Sequence, residues 1–338
     1  MLQHWFEQQW QRSGWAQCLL RPLSWLFAVL STARRWLYRQ QWLASERLPV
    51  PVIVVGNISV GGVGKTPLVL WLVQQLRAAG RRPGIISRGY GGDRHGAVLA
   101  HSDPARLGDE PVLLAQRSGC PVWVDRQRVE AGRQLLASYP EIDVLICDDG
   151  LQHLALQRDL EICVVQRPLG LGNGQWLPAG PLREPLRRLQ TVDIVVESGE
   201  RPALPVSVPS YHMQLHSQQF CALHGGETRS PAAFQGQSLV AVAGIGHPQR
   251  FFDSLSALGL QFETRVFADH HAYRREDFAG LQGKTLLMTE KDAVKCRLLA
   301  LTDVWYLPVD AVLTPLNVTE GLCELVLKRL ETCKGNSI

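Results

Sequence analysis

The chain has 338 residues, of which 46% are hydrophobic and 20% are charged. That length and composition allow two buried cores and argue against global disorder. The net charge of +4 comes without a dense lysine and arginine run, so a dedicated nucleic-acid-binding surface is not indicated. The eight cysteines form no C-x-x-C pair, and we interpret them as small buried hydrophobic residues in a reducing compartment.

The first 47 residues differ in composition from the rest of the chain, because six of the ten tryptophans fall there. An apolar stripe at helical spacing is formed by Leu19, Leu23, Leu26, Leu30 and Leu37. The longest unbroken apolar run, residues 25–30, is far shorter than the roughly 20 residues of a spanning helix. No small-residue cleavage site follows it, so a signal peptide is not indicated either. We predict a helix lying in the membrane interface; an ordinary amphipathic helix docked on the domain is the alternative.

From residue 50 onward, short β-branched runs alternate with longer mixed segments. The runs are 50–55, 84–87, 121–124, 143–147, 161–165 and 193–196, with helices expected at 67–80 and 126–139. Strands that are apolar on both faces are typical of a buried parallel sheet. We therefore predict an α/β fold with a doubly wound, mainly parallel, P-loop NTPase-like sheet over residues 48–201.

The chain beyond residue 201 indicates a second domain. Prolines at 202–210 predict a linker, and strands at 239–243, 285–288 and 304–307 predict a smaller α/β domain over residues 211–338. The last helix of that domain could pack back on the first.

A glycine-rich loop follows the first strand of the predicted sheet. Its residues Ser59, Val60, Gly61, Gly62, Val63 and Gly64 precede Lys65 and Thr66. Such a loop lets backbone N–H groups approach the phosphates of a nucleotide, Lys65 reaches the β- and γ-phosphates, and the Thr66 hydroxyl binds Mg²⁺. Ser59 stands where the strict motif has glycine, which weakens the pattern match; a tight structural turn is the alternative.

Two carboxylates, Asp148 and Asp149, end the run at 143–147. Carboxylates at the carboxyl edge of a sheet beside a phosphate loop bind Mg²⁺ directly or through water, whereas an isolated Asp-Asp pair would more often form a turn. Gln152 and His153 follow and could position the metal or the nucleotide. Arg183 and its neighbour Glu184 come after a Gly-Pro turn that could cover the phosphates; a surface ion pair is the alternative.

Many ordered segments resemble one family, the tetraacyldisaccharide 4'-kinases of lipid A biosynthesis. The matching residues are 22–26, 55–67, 87–92, 108–111, 148–153, 177–184, 243–248, 269–270 and 289–295. The resemblance implies ATP, Mg²⁺ and an acylated glucosamine disaccharide 1-phosphate, phosphorylated at its 4'-hydroxyl to give lipid IVA. It also implies two α/β domains with the active site between them, peripheral attachment to the cytoplasmic face of a bacterial inner membrane, and no obligate protein partner.

The same resemblance implies roles for individual residues. Asp109 matches the catalytic base and His270 its partner, although alone Asp109 could be a helix N-cap and His270 a structural histidine. With the domain limits given above, these two residues would meet across the domain cleft. The predicted nucleotide-binding residues are the glycine-rich loop and Arg183. The predicted metal ligands are Thr66, Asp148, Asp149, Gln152 and Glu184. The predicted contacts to the acceptor are Ser87, Arg88, Tyr90, Arg128 and His153. Lys291, Asp292 and Lys295 receive no role.

Two other classes of P-loop protein remain as alternatives. A regulatory GTPase would carry Asn/Thr-Lys-x-Asp, but Lys291 stands one position late in Thr289-Glu290-Lys291-Asp292. A membrane-associated ATPase that uses the loop only for attachment would not be expected to have a second domain with its own histidine and lysine cluster.

Overall fold

The computed structural model describes residue 10 and residues 14–167, 169–199 and 204–335. Trp5 and Glu7, which belong to the predicted interface segment, lie outside the described residues, as do residues 202–203 of the predicted linker. The helices, in chain order, are α1 (Trp15–Arg39), α2 (Lys65–Ala78), α3 (Pro104–Leu107), α4 (Asp109–Ser118), α5 (Arg128–Ser138), α6 (Pro248–Ala257), α7 (Glu290–Cys296) and α8 (Leu322–Gly335).

The strands alternate with these helices along most of the chain. They are β1 (Val52–Gly56), β2 (Pro83–Ser87), β3 (Gly96–Val98), β4 (Val122–Val124), β5 (Val144–Asp148), β6 (Leu160–Arg167), β7 (Ile194–Gly199), β8 (Ser210–His216), β9 (Phe220–Ala222), β10 (Thr228–Arg229), β11 (Leu239–Ala243), β12 (Glu263–Val266), β13 (Thr285–Thr289), β14 (Val304–Leu307) and β15 (Asp310–Pro315). Short 3₁₀ turns lie at Leu169–Leu171, Leu186–Gln190, Pro231–Phe234 and Arg275–Phe278.

The chain divides into two compact units. The first comprises the residues up to Arg88, Cys120–Gln214 and the residues from Ala311 onward; the second comprises Gly89–Gly119 and Leu215–Asp310. The second unit therefore contains residues 89–119, which the sequence had placed in the first domain. The final helix α8 belongs to the first unit, where it packs against α2.

The first unit is built on a sheet with the strand order β15-β8-β7-β6-β1-β5-β2-β4. Neighbours from β8 to β4 run parallel, and β1, β2 and β5 are buried along their whole length. Their Val- and Ile-rich sequences form strands of this kind because both faces of a parallel sheet are covered. The predicted doubly wound fold is confirmed, with β1 at the centre of the sheet.

The predicted linker packs against the core of the first unit and is not an exposed connection between domains. Leu204, Val206 and Val208 are partly buried against the core of the first unit, and the Leu204 amide donates to the Glu197 carboxylate. The strand β8 then continues the same sheet beside β7. Apolar residues alternating with prolines let this stretch pack as an extended segment, so the first unit continues to Gln214.

The second unit has its own sheet, with the strand order β10-β9-β14-β13-β11-β12. The strands β12, β11, β13 and β14 are parallel, and β9 pairs antiparallel with both β14 and β10. One side of the sheet has a core of Phe220, Phe234 and Trp305, whose rings meet edge to face, packed with Phe251 and Phe252 of α6. Helices α4 and α7 pack together in this unit.

Helix α1 has two contrasting faces. Leu19, Leu23, Leu26 and Leu30 are each more than half exposed, while Gln17 and Ser24 on the opposite face are buried. Most helices of soluble proteins have the reverse arrangement, with the apolar stripe against the core. None of the helices in the described part of the chain is both long and apolar enough to cross a membrane.

Candidate active site

The glycine-rich loop leads from the end of the central strand β1 into helix α2. Gly61 and Gly64 have φ values of 112° and 91°, in the left-handed region that glycine adopts without steric cost. Gly64 is the N-cap of α2, so the helix begins at Lys65 with its first N–H groups directed towards the loop. A strand, a loop of this conformation and a helix N-terminus together form a phosphate-binding arrangement.

Lys65 is held by two oxygen-bearing side chains. Its Nζ lies 3.2 Å from Asn57 Oδ1 and 3.2 Å from Asp149 Oδ1. Asn57 is fully buried, and its Nδ2 donates to the Ser59 carbonyl at 2.6 Å, which braces the loop. Asn57 was not among the residues predicted from the sequence, although an amide side chain between an apolar strand and a glycine-rich loop was a usable signal.

Asp148 and Asp149 lie at the carboxyl edge of the same sheet. Asp148 ends β5 and is in register with Val55 of β1, so it lies beside the strand that leads into the loop. Asp149 follows with a φ of 50°, a conformation that is rare for residues other than glycine. Burial raises the pKa of Asp149, but attraction from Lys65 and Arg183 outweighs it and lowers that pKa to about 2. Asp149 is therefore ionised at neutral pH.

The segment around Arg183 runs alongside the loop, as its Gly-Pro turn suggested. The amides of Arg183 and Glu184 donate to the Ile58 carbonyl at 2.7 and 3.2 Å, and Arg183 Nη1 lies 3.3 Å from Asp149 Oδ2. The Val60 amide, which the motif directs at a phosphate, instead donates to the Pro181 carbonyl at 2.8 Å. Lys65 and Arg183, two of the predicted nucleotide contacts, thus meet at one carboxylate.

Glu184 is buried and fully engaged. Gln152 Nε2 donates to its Oε1 at 2.7 Å and to the Asn57 carbonyl at 3.0 Å, while Arg188 Nε lies 3.1 Å from its Oε2 and Arg35 also pairs with that oxygen. The surface ion pair considered for this glutamate is wrong, because Glu184 is only 1% exposed. Its two oxygens are bound by donors, so Glu184 acts in this structure as an anchor for its neighbours.

Four of the predicted acceptor contacts lie in the first unit. Ser87 Oγ is 3.4 Å from Asp148 Oδ2. The Arg128 guanidinium is buried and donates to the Asp125 carbonyl at 2.8 Å, while its Nε and Nη2 have no hydrogen-bond partner within the described part of the chain. Burial, together with the charges of Arg128 and Arg88, lowers the pKa of His153 to about 4. This cluster combines a neutral imidazole with cationic side chains and suits a polar or anionic ligand.

The second unit contains the predicted contact between Asp109 and His270. His270 Nδ1 lies 2.9 Å from Asp109 Oδ2, and the Glu110 amide donates to Asp109 Oδ1 at 2.9 Å. Gly108 is the N-cap of α4, so the N-cap alternative for Asp109 is wrong. His271 pairs instead with Asp277, at 2.9 Å.

The two groups of this pair shift each other's ionisation. Burial raises the pKa of Asp109, but the hydrogen bond and charge of His270, with Lys291 and Lys295, lower it overall. The hydrogen bond to Asp109 is the largest cause of the raised pKa of His270, and it outweighs the opposing effect of burial. Proximity of a carboxylate and an imidazole favours the ion pair, with Asp109 ionised.

Other residues of the second unit surround this pair. The Tyr90 ring is 63% exposed and its centroid lies 5.2 Å from that of His270, so Tyr90 belongs to the second unit, whereas the other predicted acceptor contacts belong to the first. Lys291 Nζ pairs with Glu110 at the start of α4. Asp292 is fully buried, accepts from the Gly244 amide at 3.0 Å and pairs with Lys295 at 2.9 Å, which indicates a structural role.

Within the described residues, no group of three or more His, Cys, Asp and Glu side chains is placed to hold a metal ion. This arrangement still suits Mg²⁺, which in nucleotide sites takes one or two protein oxygens and completes its shell with phosphate and water. The Thr66 hydroxyl in the first turn of α2 and the Asp148 carboxylate at the end of β5 are hard oxygen donors.

The first unit has a central parallel strand, a glycine loop with Lys65 and carboxylates at the end of β5, and these features define a P-loop phosphotransferase. The pair of the buried Asp109 carboxylate and the half-buried His270 imidazole in the second unit fits a kinase with a hydroxyl acceptor. The sequence model of one family, described as tetraacyldisaccharide-1-P 4'-kinase (LpxK), matches residues 16–330. The chain belongs to this family, as its motifs suggested.

Curated relatives and a solved structure agree with this assignment. The chain is 50% identical to the tetraacyldisaccharide 4'-kinase of Dechloromonas aromatica, over 98% of both chains, and 50% identical to that of Methylobacillus flagellatus, over 96% of both. It is 29% identical to LpxK from Aquifex aeolicus, crystallised with ATP, with a TM-score of 0.82 over 93% of this chain and 99% of that one. The predicted fold class and kinase activity are confirmed.

Proposed function

We propose that the chain transfers the γ-phosphoryl group of ATP to the 4'-hydroxyl of a tetraacyldisaccharide 1-phosphate and so forms lipid IVA on the cytoplasmic face of a bacterial inner membrane. The observation that carries this proposal is the placement of Lys65 at the end of the glycine loop, between Asn57 and an ionised Asp149. A lysine fixed at that point meets the charge of the transferring phosphoryl group.

The nucleotide binds along the loop from Ser59 to Gly64. Backbone N–H groups of the loop after Val60 and at the start of α2 face the phosphates, and Lys65 and Arg183 supply positive charge. Both cations contact Asp149 in this structure, and the phosphates of ATP compete with that carboxylate for them.

Mg²⁺ accompanies the nucleotide. Thr66 and Asp148 would hold the ion, with Asp149 and Gln152 beside them, while Glu184 fixes Gln152 and the backbone around Arg183. When bound, Mg²⁺ neutralises negative charge on the phosphate oxygens. The chain's own residues provide carboxylate and hydroxyl oxygens, the ligands this ion prefers.

Asp109 accepts the proton of the attacking hydroxyl. It is ionised, it is held by His270 at 2.9 Å, and the imidazole orients its carboxylate while stabilising its charge. Tyr90, Ser87, Arg88, Arg128 and His153 contact the acceptor, which carries sugar rings for the aromatic face and a 1-phosphate for the cations.

Helix α1 brings the enzyme to its lipid substrate. Its leucine stripe is exposed to solvent in this structure, and its exposed Trp25 and nearby arginines are typical of a helix that lies in the bilayer interface. A peripheral position gives access to an acceptor whose acyl chains remain in the membrane.

The direct test incubates the purified protein with γ-labelled ATP and the disaccharide 1-phosphate and separates the lipid by thin-layer chromatography. We expect label in the lipid, and a loss of more than about 100-fold in the Lys65→Ala variant, because a charge at the transferring phosphoryl group is removed. Lys328→Ala, an exposed lysine of α8, is the matched control. Label released only as inorganic phosphate would favour the ATPase or GTPase alternatives instead.

A further inference from the structure

Arg35 lies on the buried face of α1, because it follows Ser24 by 11 residues and Gln17 by 18, spacings that return to the same side of a helix. Its guanidinium pairs with Glu184, a carboxylate that is only 1% exposed. The two residues are 149 positions apart in the sequence. This arginine therefore contributes to the interior of the first unit, unlike the exposed Arg39 one turn further on.

The contact continues from Glu184 to the phosphate loop in two short steps. Gln152 Nε2 bridges Glu184 Oε1 at 2.7 Å and the Asn57 carbonyl at 3.0 Å. Arg183, next to Glu184 in the chain, reaches Asp149, which pairs with Lys65. Each link involves a charged or amide side chain with a defined partner, so a displacement of Glu184 is transmitted to the groups around Lys65.

Helix α1 makes further contacts with the same region. Ser24 Oγ donates to the Trp176 carbonyl at 3.0 Å and accepts from the Ala179 amide at 2.9 Å, and Arg34 Nη1 donates to the Gln152 carbonyl at 3.3 Å. The polar face of the helix is thus attached to the segment that leads to Arg183 and to the turn that bears Gln152.

We propose that Arg35 is a positioning residue for the nucleotide: through Glu184 and Gln152, helix α1 holds the groups around Lys65 in place. Among the described residues, loss of the Arg35 guanidinium leaves the buried Glu184 carboxylate with Arg188 as its only cationic partner, and Glu184 then competes for Arg183. The helix consequently serves ATP binding as well as lipid contact. The inference rests on the proposed nucleotide role of Lys65 and Arg183.

The test measures binding of a fluorescent ATP analogue with Mg²⁺, without lipid, alongside the KM values for ATP and for the disaccharide. We expect Arg35→Gln to weaken nucleotide binding about 10-fold or more and to raise the KM for ATP, with the KM for the disaccharide nearly unchanged. Arg35→Lys should recover part of the affinity, because it restores the charge but not the planar guanidinium. Arg39→Gln removes an equal charge from the same helix and should bind nucleotide like the wild type.

Nucleotide affinity within twofold of wild type in Arg35→Gln would overturn the proposal, as would an equal loss in Arg39→Gln or an effect confined to the disaccharide. If Arg35→Gln does not fold, the double variant Arg35→Gln with Glu184→Gln, which removes both charges, is measured in its place. Its loss of nucleotide affinity should be no greater than that of Glu184→Gln alone. If the two substitutions reduced nucleotide affinity by factors that multiply in the double variant, Arg35 would not act through Glu184. Lys65→Ala is measured in the same assay: unaltered binding there would refute the nucleotide site itself, a result distinct from failure of Arg35 alone.

Discussion

At the scale of single residues, the carboxylate–imidazole pair depends on two uncommon backbone conformations. His270 has a φ of 58°, and Gly108, directly before Asp109, has a φ of 94°. A Cβ at Gly108 would lie 2.7 Å from the Tyr90 carbonyl oxygen, so only glycine fits there. Strained conformations persist where the surrounding structure enforces them, and they concentrate at functional sites.

We predict that Asp109→Ala and His270→Ala each lower kcat by about 10²–10⁴-fold with little change in nucleotide affinity, because general-base assistance is lost. The double variant should be little slower than the slower single variant, since the two groups act as a unit. Steady-state kinetics on the three proteins provide the measurement.

His271→Ala is the matched control for this comparison, because His271 neighbours His270 but pairs with Asp277. It should retain nearly full kcat. Losses that multiply in the Asp109 and His270 double variant would show that the two residues act independently.

Asp148 at the end of β5 and Asp149 directly after it lead to a prediction about Mg²⁺. Asp148→Asn and Asp149→Asn should each raise the Mg²⁺ concentration needed for the half-maximal rate, because a charged ligand or its neighbour is lost. The measurement is a Mg²⁺ titration of the rate at saturating ATP. Asp253→Asn, an exposed aspartate of α6, should leave the titration unchanged. An unaltered Mg²⁺ dependence in both variants would remove these residues from the metal site.

At the scale of elements, helix α1 combines an exposed leucine stripe with a polar face that binds protein. Deleting residues 1–44 would remove both, including Ser24 and Arg35, so such a deletion cannot separate lipid contact from effects on the nucleotide groups. Substitutions confined to the exposed stripe make that separation possible.

We predict that replacing Leu19, Leu23 and Leu30 by serine weakens binding to anionic vesicles by roughly 100-fold or more, because each leucine loses about 1.5 kcal/mol or more of apolar burial in the interface. Vesicle co-sedimentation measures the effect, and affinity for ATP should stay at the wild-type value. Leu298→Ser alters an equally exposed leucine of the second unit and should leave vesicle binding intact. Unchanged sedimentation of the triple variant would exclude α1 as the membrane contact.

At the scale of the whole molecule, the segment Gly89–Gly119 belongs to the second unit, although the chain returns to the first unit at Cys120. Asp109 and His270 are therefore members of one unit, 161 positions apart, and the prediction that they would meet across two domains is corrected. Their contact forms with the packing of α4 beside α7 and does not depend on domain closure.

This pair also predicts how stability depends on pH. The raised pKa of His270 means that its contribution is complete below its ordinary value of 6.5 and is lost as pH rises through the raised pKa. The lowered pKa of Asp109 means that its contribution is present above 3.8 and is lost as pH falls through the lowered pKa. The pair therefore stabilises the fold most between these two ordinary values.

We expect the free energy of unfolding of His270→Gln to fall below that of the wild type by about 1.5–3 kcal/mol between pH 4 and 6.5, the range for a hydrogen bond to a charged group. The difference should shrink as pH rises further, because the wild-type imidazole loses its proton. Urea denaturation across this range measures it, with the exposed His224→Gln as control. A difference that grows with pH would contradict the ionisation assigned to the pair.

The sequence by itself determined those strands and loops whose structure is specified by residues adjacent in the chain. The order of apolar runs predicted β1, β5 and β11 because strands buried on both faces need continuous apolar side chains. The loop before Lys65 was predictable because glycines, a lysine and a helix start are contiguous. The residues of the pair, Asp109 and His270, were reached only through resemblance to a family, since no local pattern distinguishes catalysis from capping at Asp109 or from a structural role at His270.

Only the tertiary structure decided which side chains from distant parts of the sequence form ion pairs. Nothing near Arg35 indicates that it neutralises Glu184, and nothing near residues 89–119 indicates that they fold with residues 215–310. Such contacts join segments more than 100 positions apart, and their partners are chosen by the burial of opposite charges and by packing between elements. A buried carboxylate must find a cation, but which of the chain's arginines supplies it depends on how the helices and strands are assembled.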